Sequence, residues 1–242
     1  MYAIKTTGLV KRYKTVTAVK KLDLEIKPGE LFSLLGVNGA GKTTVMKLLT
    51  CLAQPTEGDA MVGGYSILKE PDQVKRLIGV SPQETAVAPN LSVKENLELI
   101  CGIHGFSKDK TKEKLQELSE QFHLNDVLHR KAGTLSGGWQ RRVSIVMALI
   151  SEPKILFLDE PTLGLDVIAR QELWDVIRSL KGAVTIILTT HYMEEAEALS
   201  DRIGIMKNGY LLAVGTVEEL NQIAETNDFE TAFVHIVKEA MV

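Results

Sequence analysis

The segment "GVNGAGKTT" (residues 36–44) matches the pattern G-x-x-x-x-G-K-T and follows directly after the apolar run "LFSLL". The next residues, "TVMKLLT", have a helical pattern, so the segment lies where a strand gives way to a helix. In such a loop successive backbone N–H groups form an anion nest, and the helix N-terminus adds partial positive charge. The segment therefore predicts a phosphate-binding loop, whose glycines permit the backbone angles and the close approach that side chains would block.

The side chains of this loop indicate that the phosphates belong to a nucleotide. We expect Lys42 to reach the β- and γ-phosphates and Thr43 to offer its hydroxyl to Mg²⁺. The expected nucleotide-binding residues of the loop are Gly36, Asn38, Gly39, Ala40, Gly41, Lys42, Thr43 and Thr44.

Four short apolar runs end abruptly at polar residues, as buried parallel strands do. "LFSLL" ends at Gly36, "LIGV" at "SPQ", "ILFL" at Asp159 and Glu160, and "AVTIILTT" at His191. In open parallel sheets the ligand lies beyond the carboxyl ends of the strands. We therefore predict an α/β fold with a mostly parallel sheet, in which these four strand ends converge on one site.

The run "ILFLDEP" supplies the acidic residues that a nucleotide site needs. Asp159, delivered at the end of an apolar strand, can reach the Mg²⁺ that Thr43 is expected to hold. Glu160 is then a candidate general base, because a carboxylate near the phosphate edge can orient and deprotonate an attacking water.

Composition limits the alternatives for this chain of 242 residues with a formal net charge of −3. The absence of a long basic tract argues against nucleic-acid binding. No apolar stretch approaches the ~20 residues of a membrane-spanning helix, and the N-terminal residues lack the apolar core of a secretory signal. Cys51 and Cys101 have no metal-like spacing, so we expect two packed thiols in a reducing cytoplasm.

Helical patterns dominate between Glu84 and Thr134, where Leu115, Leu118 and Phe122 recur at helix spacing. We expect a single domain with a catalytic core (residues 1–84 and 140–220), an inserted helical subdomain (85–139) and a C-terminal helical tail (221–242). The tail carries an apolar stripe that fits either docking on its own domain or binding of a partner. The stripe consists of Phe229, Ala232, Phe233, Ile236 and Val237.

The order of motifs resembles that of ATP-binding cassette (ABC) transporter ATPases, because "LSGGW" (residues 135–139) shortly precedes the Asp-Glu strand. The resemblance covers almost the whole chain. "GVNGAGKTT" resembles the Walker A loop of that family, "LSGGW" its signature and "ILFLDEP" its Walker B motif. Further single positions resemble the Q-loop glutamine (Gln83), the D-loop aspartate (Asp166, ending "LGLD"), the switch histidine (His191) and the aromatic residue that stacks on adenine (Tyr13).

The resemblance implies a P-loop NTPase core with an N-terminal antiparallel β portion, and ATP with Mg²⁺ as cofactors. Two such domains pair head to tail, so that each ATP lies between one Walker A loop and the signature of the other domain, here Ser136, Gly137 and Gly138. Gln83 would ligate Mg²⁺, together with Thr43 and Asp159, and His191 would contact the γ-phosphate. The implied partners are an integral membrane permease and a second copy or a sister ATPase, at the inner face of the cell membrane.

Two positions depart from the commonest family pattern. Trp139 replaces the usual signature glutamine, and Leu163 occupies a D-loop position that a small residue often fills. An apolar fifth signature residue followed by a basic pair resembles exporter ATPases that are encoded apart from their membrane subunit, so we expect export. The transported substrate cannot be read from this chain. The competing interpretations are a soluble ABC-type ATPase acting on ribosomes or DNA, and a kinase or GTPase that shares only the phosphate loop.

Overall fold

The computed structural model describes residues 2–239. Within this range the strands are β1 (Ile4–Tyr13), β2 (Val16–Ile26), β3 (Leu31–Gly36), β4 (Glu57–Val62), β5 (Tyr65–Ser66), β6 (Ile78–Ser81), β7 (Ile155–Asp159), β8 (Thr185–Thr190), β9 (Arg202–Lys207) and β10 (Tyr210–Gly215). The α-helices are α1 (Lys42–Leu49), α2 (Pro71–Leu77), α3 (Val93–Ile103), α4 (Lys108–Gln121), α5 (Gly137–Leu149), α6 (Val167–Ser179), α7 (Met193–Leu199), α8 (Val217–Ile223) and α9 (Phe229–Glu239).

The larger sheet has six strands in the order β10-β9-β3-β8-β7-β6, and within the described residues only its β10–β9 pair is antiparallel. Every residue of β3, β7 and β8 is buried, which explains their largely apolar sequences. The registers pair Leu35 with Thr190, Thr189 with Asp159, and Leu158 with Ser81. The predicted convergence of the four strand ends at one edge of a mostly parallel sheet is confirmed.

The N-terminal strands form a separate antiparallel sheet in the order β2-β1-β4-β5. Its inner face shares a hydrophobic core with the larger sheet and with α1, through buried side chains such as Ile4, Leu22, Phe32 and Val45. The expected antiparallel β portion is thus present, and it packs against α1, the helix that follows the phosphate loop.

The helical patterns after Glu84 form α3 and α4. Ser92 and Glu95 make a reciprocal capping box at the start of α3, and Ser107 caps α4. Leu115, Leu118 and Phe122 are buried in one core with α5 and β7, as their spacing predicts. The expected subdomain boundary at residue 139 falls inside α5, and the division into core and subdomain stays a prediction.

The C-terminal helix α9 docks on its own domain, which decides between the two alternatives for the apolar stripe. Phe229, Ala232 and Ile236 are buried in a cluster that includes Leu35 and Ile205 of the larger sheet. The expected start of the tail at residue 221 lies within α8, and residues 240–242 lie outside the described range. Among the described residues, no helix combines the length and the apolar character of a bilayer-spanning segment.

Candidate functional site

A cleft of about 980 Å³ opens at the edge where β3, β6, β7 and β8 end. The phosphate loop forms one wall, and the other walls come from β2, from the residues that follow β6, β7 and β8, and from the β9–β10 turn. The lining residues are Thr15, Val16, Thr17, Ala18, Lys20, Asn38, Gly39, Ala40, Gly41, Lys42, Thr43, Thr44, Gln83, Glu160, Leu163, His191, Asn208 and Gly209.

Two glycines of the phosphate loop are required by contacts within the chain. A Cβ at Gly36 would overlap the carbonyl oxygen of Met206, and a Cβ at Gly41 would overlap that of Ala18. Gly41 also has a positive φ of 107°, as the N-cap of α1. Gly39 has open space around it and needs only its left-handed conformation. The groups that approach these two glycines closely therefore include backbone carbonyls of strands that are distant in the sequence.

Lys42 is almost completely buried at the first position of α1. Its Nζ donates a hydrogen bond of 2.7 Å to the carbonyl oxygen of Gly36 and lies 3.5 Å from Glu160 Oε1. Burial lowers the pKa of the Lys42 ammonium, while the nearby Glu160 and Asp159 carboxylates oppose this shift. The geometry places one positive charge at the floor of the cleft.

Thr43 and Asp159 face each other across the base of the cleft, with Thr43 Oγ1 3.4 Å from Asp159 Oδ1. The hydroxyl of Thr189 also donates to Asp159 Oδ1, which fixes the carboxylate at the end of β7. Mg²⁺ prefers oxygen ligands and is often held by one or two carboxylates together with substrate phosphates. A hydroxyl and a carboxylate at this separation fit such a site.

Glu160 contacts side chains that follow three other strands. Its Oε1 lies 3.3 Å from His191 Nδ1, and its Oε2 accepts a hydrogen bond of 3.3 Å from Gln83 Nε2. The backbone of Glu160 is left-handed (φ 47°), and its N–H donates to the carbonyl oxygen of Thr189 at 3.0 Å. Together with the 3.5 Å contact to Lys42, these contacts hold the carboxylate at the phosphate edge of the cleft.

Ser136, Gly138 and Asp166 lie elsewhere, in a second pocket of about 290 Å³ between the N-termini of α5 and α6, which we call the signature pocket. Gly137 is not among its lining residues. Ser136 Oγ accepts from the N–H of Trp139 at 3.5 Å, and Asp166 Oδ1 accepts from the N–H of Ala169 at 2.9 Å. Both side chains thus cap their own helices. A Cβ at Gly138 would lie 3.0 Å from the Cβ of Ala169, so this glycine also lets α5 and α6 pack closely.

Tyr13 does not line the cleft. The residue is 44% exposed at the end of β1, and Lys11 Nζ lies 4.9 Å from its ring centroid. Val16, three residues further on, lies in the lining instead. The adenine-stacking role of Tyr13 stays a prediction.

Arg141 contacts the backbone of Gln83 beside the cleft, and the sequence analysis did not single it out. It is buried in α5, and its guanidinium donates to the carbonyl oxygens of both Pro82 and Gln83. Burial lowers the pKa of Arg141, opposed by Asp159 and Glu195. Nearby, the hydroxyls of Ser81 and Ser144 lie 2.9 Å apart. The sequence carries no local signal for this contact, because both acceptors are backbone oxygens far away in the chain.

Glu195 is a second residue that the sequence analysis missed, and it is fully buried on α7. Its Oε1 accepts from Thr162 Oγ1 at 2.8 Å and from Trp174 Nε1 at 3.2 Å. Burial raises the pKa of this carboxyl above its ordinary value. Glu195 thereby ties the helix after His191 to the segment after Glu160.

Comparisons with known proteins agree with this geometry. The sequence model of the ABC transporter family matches residues 19–163. The chain is 41% identical to the daunorubicin/doxorubicin resistance ATP-binding protein DrrA of Streptomyces peucetius, over 93% of this chain and 68% of that protein. It is 38% identical to the linearmycin resistance ATP-binding protein LnrL of Bacillus subtilis, over 90% of this chain and 70% of that protein.

Among solved structures, the chain superimposes with a TM-score of 0.78 on the ATP-binding cassette MJ0796, determined as a post-hydrolysis dimer bound to ADP and Pi. The two chains are 28% identical, and the match covers 88% of this chain and 98% of that one. The family match, the two relatives and the shared fold lead to one conclusion: the chain belongs to the ABC transporter family, as one of its ATP-binding, ATP-hydrolysing subunits.

Proposed function

We propose that this chain hydrolyses ATP to drive export by a separate integral membrane subunit. The observation that carries the catalytic part is the position of Glu160, whose carboxylate lies within 3.5 Å of Lys42, Gln83 and His191 at the edge of the phosphate loop. A carboxylate in that place can orient an attacking water and accept its proton.

The residues of the cleft have distinct roles in this proposal. The N–H groups of the phosphate loop and the N-terminus of α1 bind the phosphates, and Lys42 neutralises charge that spreads over the oxygens of the γ-phosphate. His191 hydrogen-bonds the γ-phosphate and keeps Glu160 oriented. Thr43, Asp159 and Gln83 would hold Mg²⁺, which supplies further neutralisation of phosphate charge. Tyr13 would stack on adenine when nucleotide is bound.

The active form in this proposal is a head-to-tail dimer. Ser136, Gly137 and Gly138 of one copy would face the nucleotide in the cleft of the other, with Asp166 alongside. The N-termini of α5 and α6 at the signature pocket would offer N–H groups and partial positive charge to a nucleotide. Because the phosphate loop lines the other cleft, that nucleotide would be bound by a second copy. The related cassette MJ0796 was solved as a dimer with ADP and Pi. A second copy or a sister ATPase is the proposed partner.

The names of the relatives support the proposed direction of transport. DrrA and LnrL are named for resistance to daunorubicin, doxorubicin and linearmycin, which favours export over import. The fifth signature position also favours export. Trp139 is apolar, and after one glutamine it is followed by the basic pair Arg141 and Arg142. We therefore propose a permease as the second partner, which holds this chain at the inner face of the cell membrane.

The test of this proposal is the solution mass of purified Glu160→Gln protein with Mg-ATP, with Mg-ADP and without nucleotide. We expect a dimer only with Mg-ATP, because the glutamine amide would preserve binding and block cleavage. Adding Ser136→Arg should abolish the dimer. Ser107→Arg is the matched control, because Ser107 is also an N-cap serine but caps α4, and it should leave the dimer intact. A protein that binds ATP and stays monomeric would contradict the sandwich of two copies.

A further inference from the structure

The turn between β9 and β10 forms part of the nucleotide cleft, although it belongs to none of the motifs found in the sequence. Asn208 and Gly209 line the cleft and both have positive φ angles, 49° and 83°. An Asn-Gly pair in this conformation is typical of a tight hairpin turn. The Gly209 N–H donates to the carbonyl oxygen of Ala40 at 2.9 Å, and the Lys20 N–H donates to the carbonyl oxygen of Gly209 at 2.8 Å.

This turn is packed tightly against the phosphate loop. A Cβ at Gly209 would lie 2.9 Å from the carbonyl oxygen of Ala18, and a Cβ at Gly41 would lie 3.5 Å from the Cα of Gly209. The turn therefore fixes Ala40 and Gly41, two residues whose N–H groups belong to the expected anion nest. A displacement of the turn has to change the shape of the nest.

The C-terminal helix holds this turn in place. Lys207, the last residue of β9, is 9% exposed, and its Nζ donates a hydrogen bond of 2.6 Å to the carbonyl oxygen of Val237 in α9. Val237 lies in the last turn of α9, where a cation also interacts favourably with the helix dipole. Because the apolar stripe anchors α9 on β3 and β9, Lys207 joins two fixed elements beside the turn.

We propose that Lys207 is a positioning residue for nucleotide binding, through which α9 braces the Asn208–Gly209 wall of the cleft. The inference rests on the nucleotide cleft of the proposed function and goes beyond it, because it assigns the C-terminal helix a role in nucleotide affinity. It requires neither the dimer nor the membrane subunit. Lys207 touches no reacting group, so its effect falls on binding and leaves the chemical step unchanged.

The test uses the full chain with Lys207→Met, and with Lys238→Met as the matched control on the exposed side of α9. We expect Lys207→Met to weaken Mg-ADP binding, measured by calorimetric titration, by about fivefold, since a charge-assisted hydrogen bond is lost at a distance from the ligand. The KM for ATP should rise by a similar factor with kcat unchanged. Lys238→Met should match the unmodified chain, and Lys207→Arg, which keeps a donor, should recover most of the affinity.

Amide hydrogen exchange distinguishes a local effect from general destabilisation. In Lys207→Met we expect faster exchange in α9, in the β9–β10 turn and in the phosphate loop, and unchanged exchange in α4. Unchanged ADP affinity, or faster exchange spread evenly over the chain, would overturn the inference. ADP binding needs no hydrolysis, so a chain without ATPase activity would contradict the proposed function and leave this result standing.

Discussion

The phosphate-loop cleft and the signature pocket differ in the side-chain contacts that one copy of the chain makes at each. In the cleft, Lys42, Gln83 and His191 all contact Glu160, although each follows a different strand. In the signature pocket, Ser136 and Asp166 each accept from an N–H group of the helix that they cap. Parallel strands thus bring the polar groups of the cleft together within one copy, whereas the contacts of Ser136 and Asp166 stay local to their own helices. That the signature pocket faces the nucleotide of another copy stays a proposal.

The largest expected effect is the loss of ATP hydrolysis from a substitution that leaves the shape of the cleft unchanged. Glu160→Gln should keep ATP binding and lower phosphate release by about 10³-fold, within the range of a lost general base. Lys42→Ala, in contrast, should lose ATP binding itself, because it removes the charge at the floor of the cleft. Phosphate-release assays and equilibrium titrations separate the two outcomes. Normal turnover in either purified variant would contradict the role assigned to that residue.

A second prediction sharpens the comparison by separating packing from recognition in the signature pocket. Gly138→Ala should lower both the thermal midpoint and ATPase activity, since the added methyl group meets Ala169 at 3.0 Å. Combining it with Ala169→Gly should restore the midpoint, because the space for the methyl group returns. ATPase activity should stay about tenfold low, as expected for a surface that must approach a partner's nucleotide. Full recovery of activity would assign Gly138 to packing alone.

A third prediction concerns the contact that joins the two regions. Arg141, on the helix that begins with the signature, donates hydrogen bonds to the carbonyl oxygens of Pro82 and Gln83. Arg141→Met should lower kcat about tenfold with little change in ATP affinity, since Gln83 loses its fixed position beside Glu160. It should also cost about 2 kcal/mol of stability, because two carbonyl oxygens lose charged donors.

Arg142→Met is the matched control for this measurement. Arg142 is the next residue and pairs with Glu172 at 3.3 Å, and both residues line the signature pocket. Loss of this ion pair with an exposed partner should change stability by less than about 1 kcal/mol and should leave the contacts of Gln83 unchanged. Equal losses of kcat in the two variants would show that general disturbance of α5, and not the contact to Gln83, is responsible.

The smallest expected effect is a pH dependence at Glu195, behind the cleft. Because burial raises the pKa of this carboxyl, the folded state binds its proton more tightly than the unfolded state does. The associated stability is fully present below the unfolded pKa, about 4.3, and is lost as pH rises through the folded pKa. Glu195→Gln mimics the protonated form, so its stability relative to the unmodified chain should increase as pH rises from that value. Thermal unfolding at several pH values tests this, with exposed Glu194→Gln as control.

Some features were predictable because their signals are local. The four strands carry short, largely apolar runs. The residues that end these runs lie next to the site, because ligands of open parallel sheets bind beyond the carboxyl ends of the strands. Arg141 was not predictable, since its partners lie 58 and 59 residues away in the chain and are backbone atoms without a sequence signature.

The glycines and the C-terminal stripe show the same limit. The clashes that require Gly36 and Gly41 come from Met206 and Ala18, which only the tertiary fold brings near. The stripe of α9 has the same apolar spacing whether it docks internally or on a partner, so only the packed structure separates the two.

The position of β3 has a consequence for synthesis of the chain. Among the described strands, β3 pairs only with β8 and β9, which begin at Thr185 and Arg202. A nascent chain that ends after the Walker B motif therefore contains the whole phosphate loop and neither of the strands that flank β3. Such long-range pairing delays folding and leaves apolar strand edges exposed until the last quarter of the chain has emerged. Nucleotide should accordingly bind and stabilise only chains in which β8 and β9 have been synthesised, and should not stabilise truncated chains.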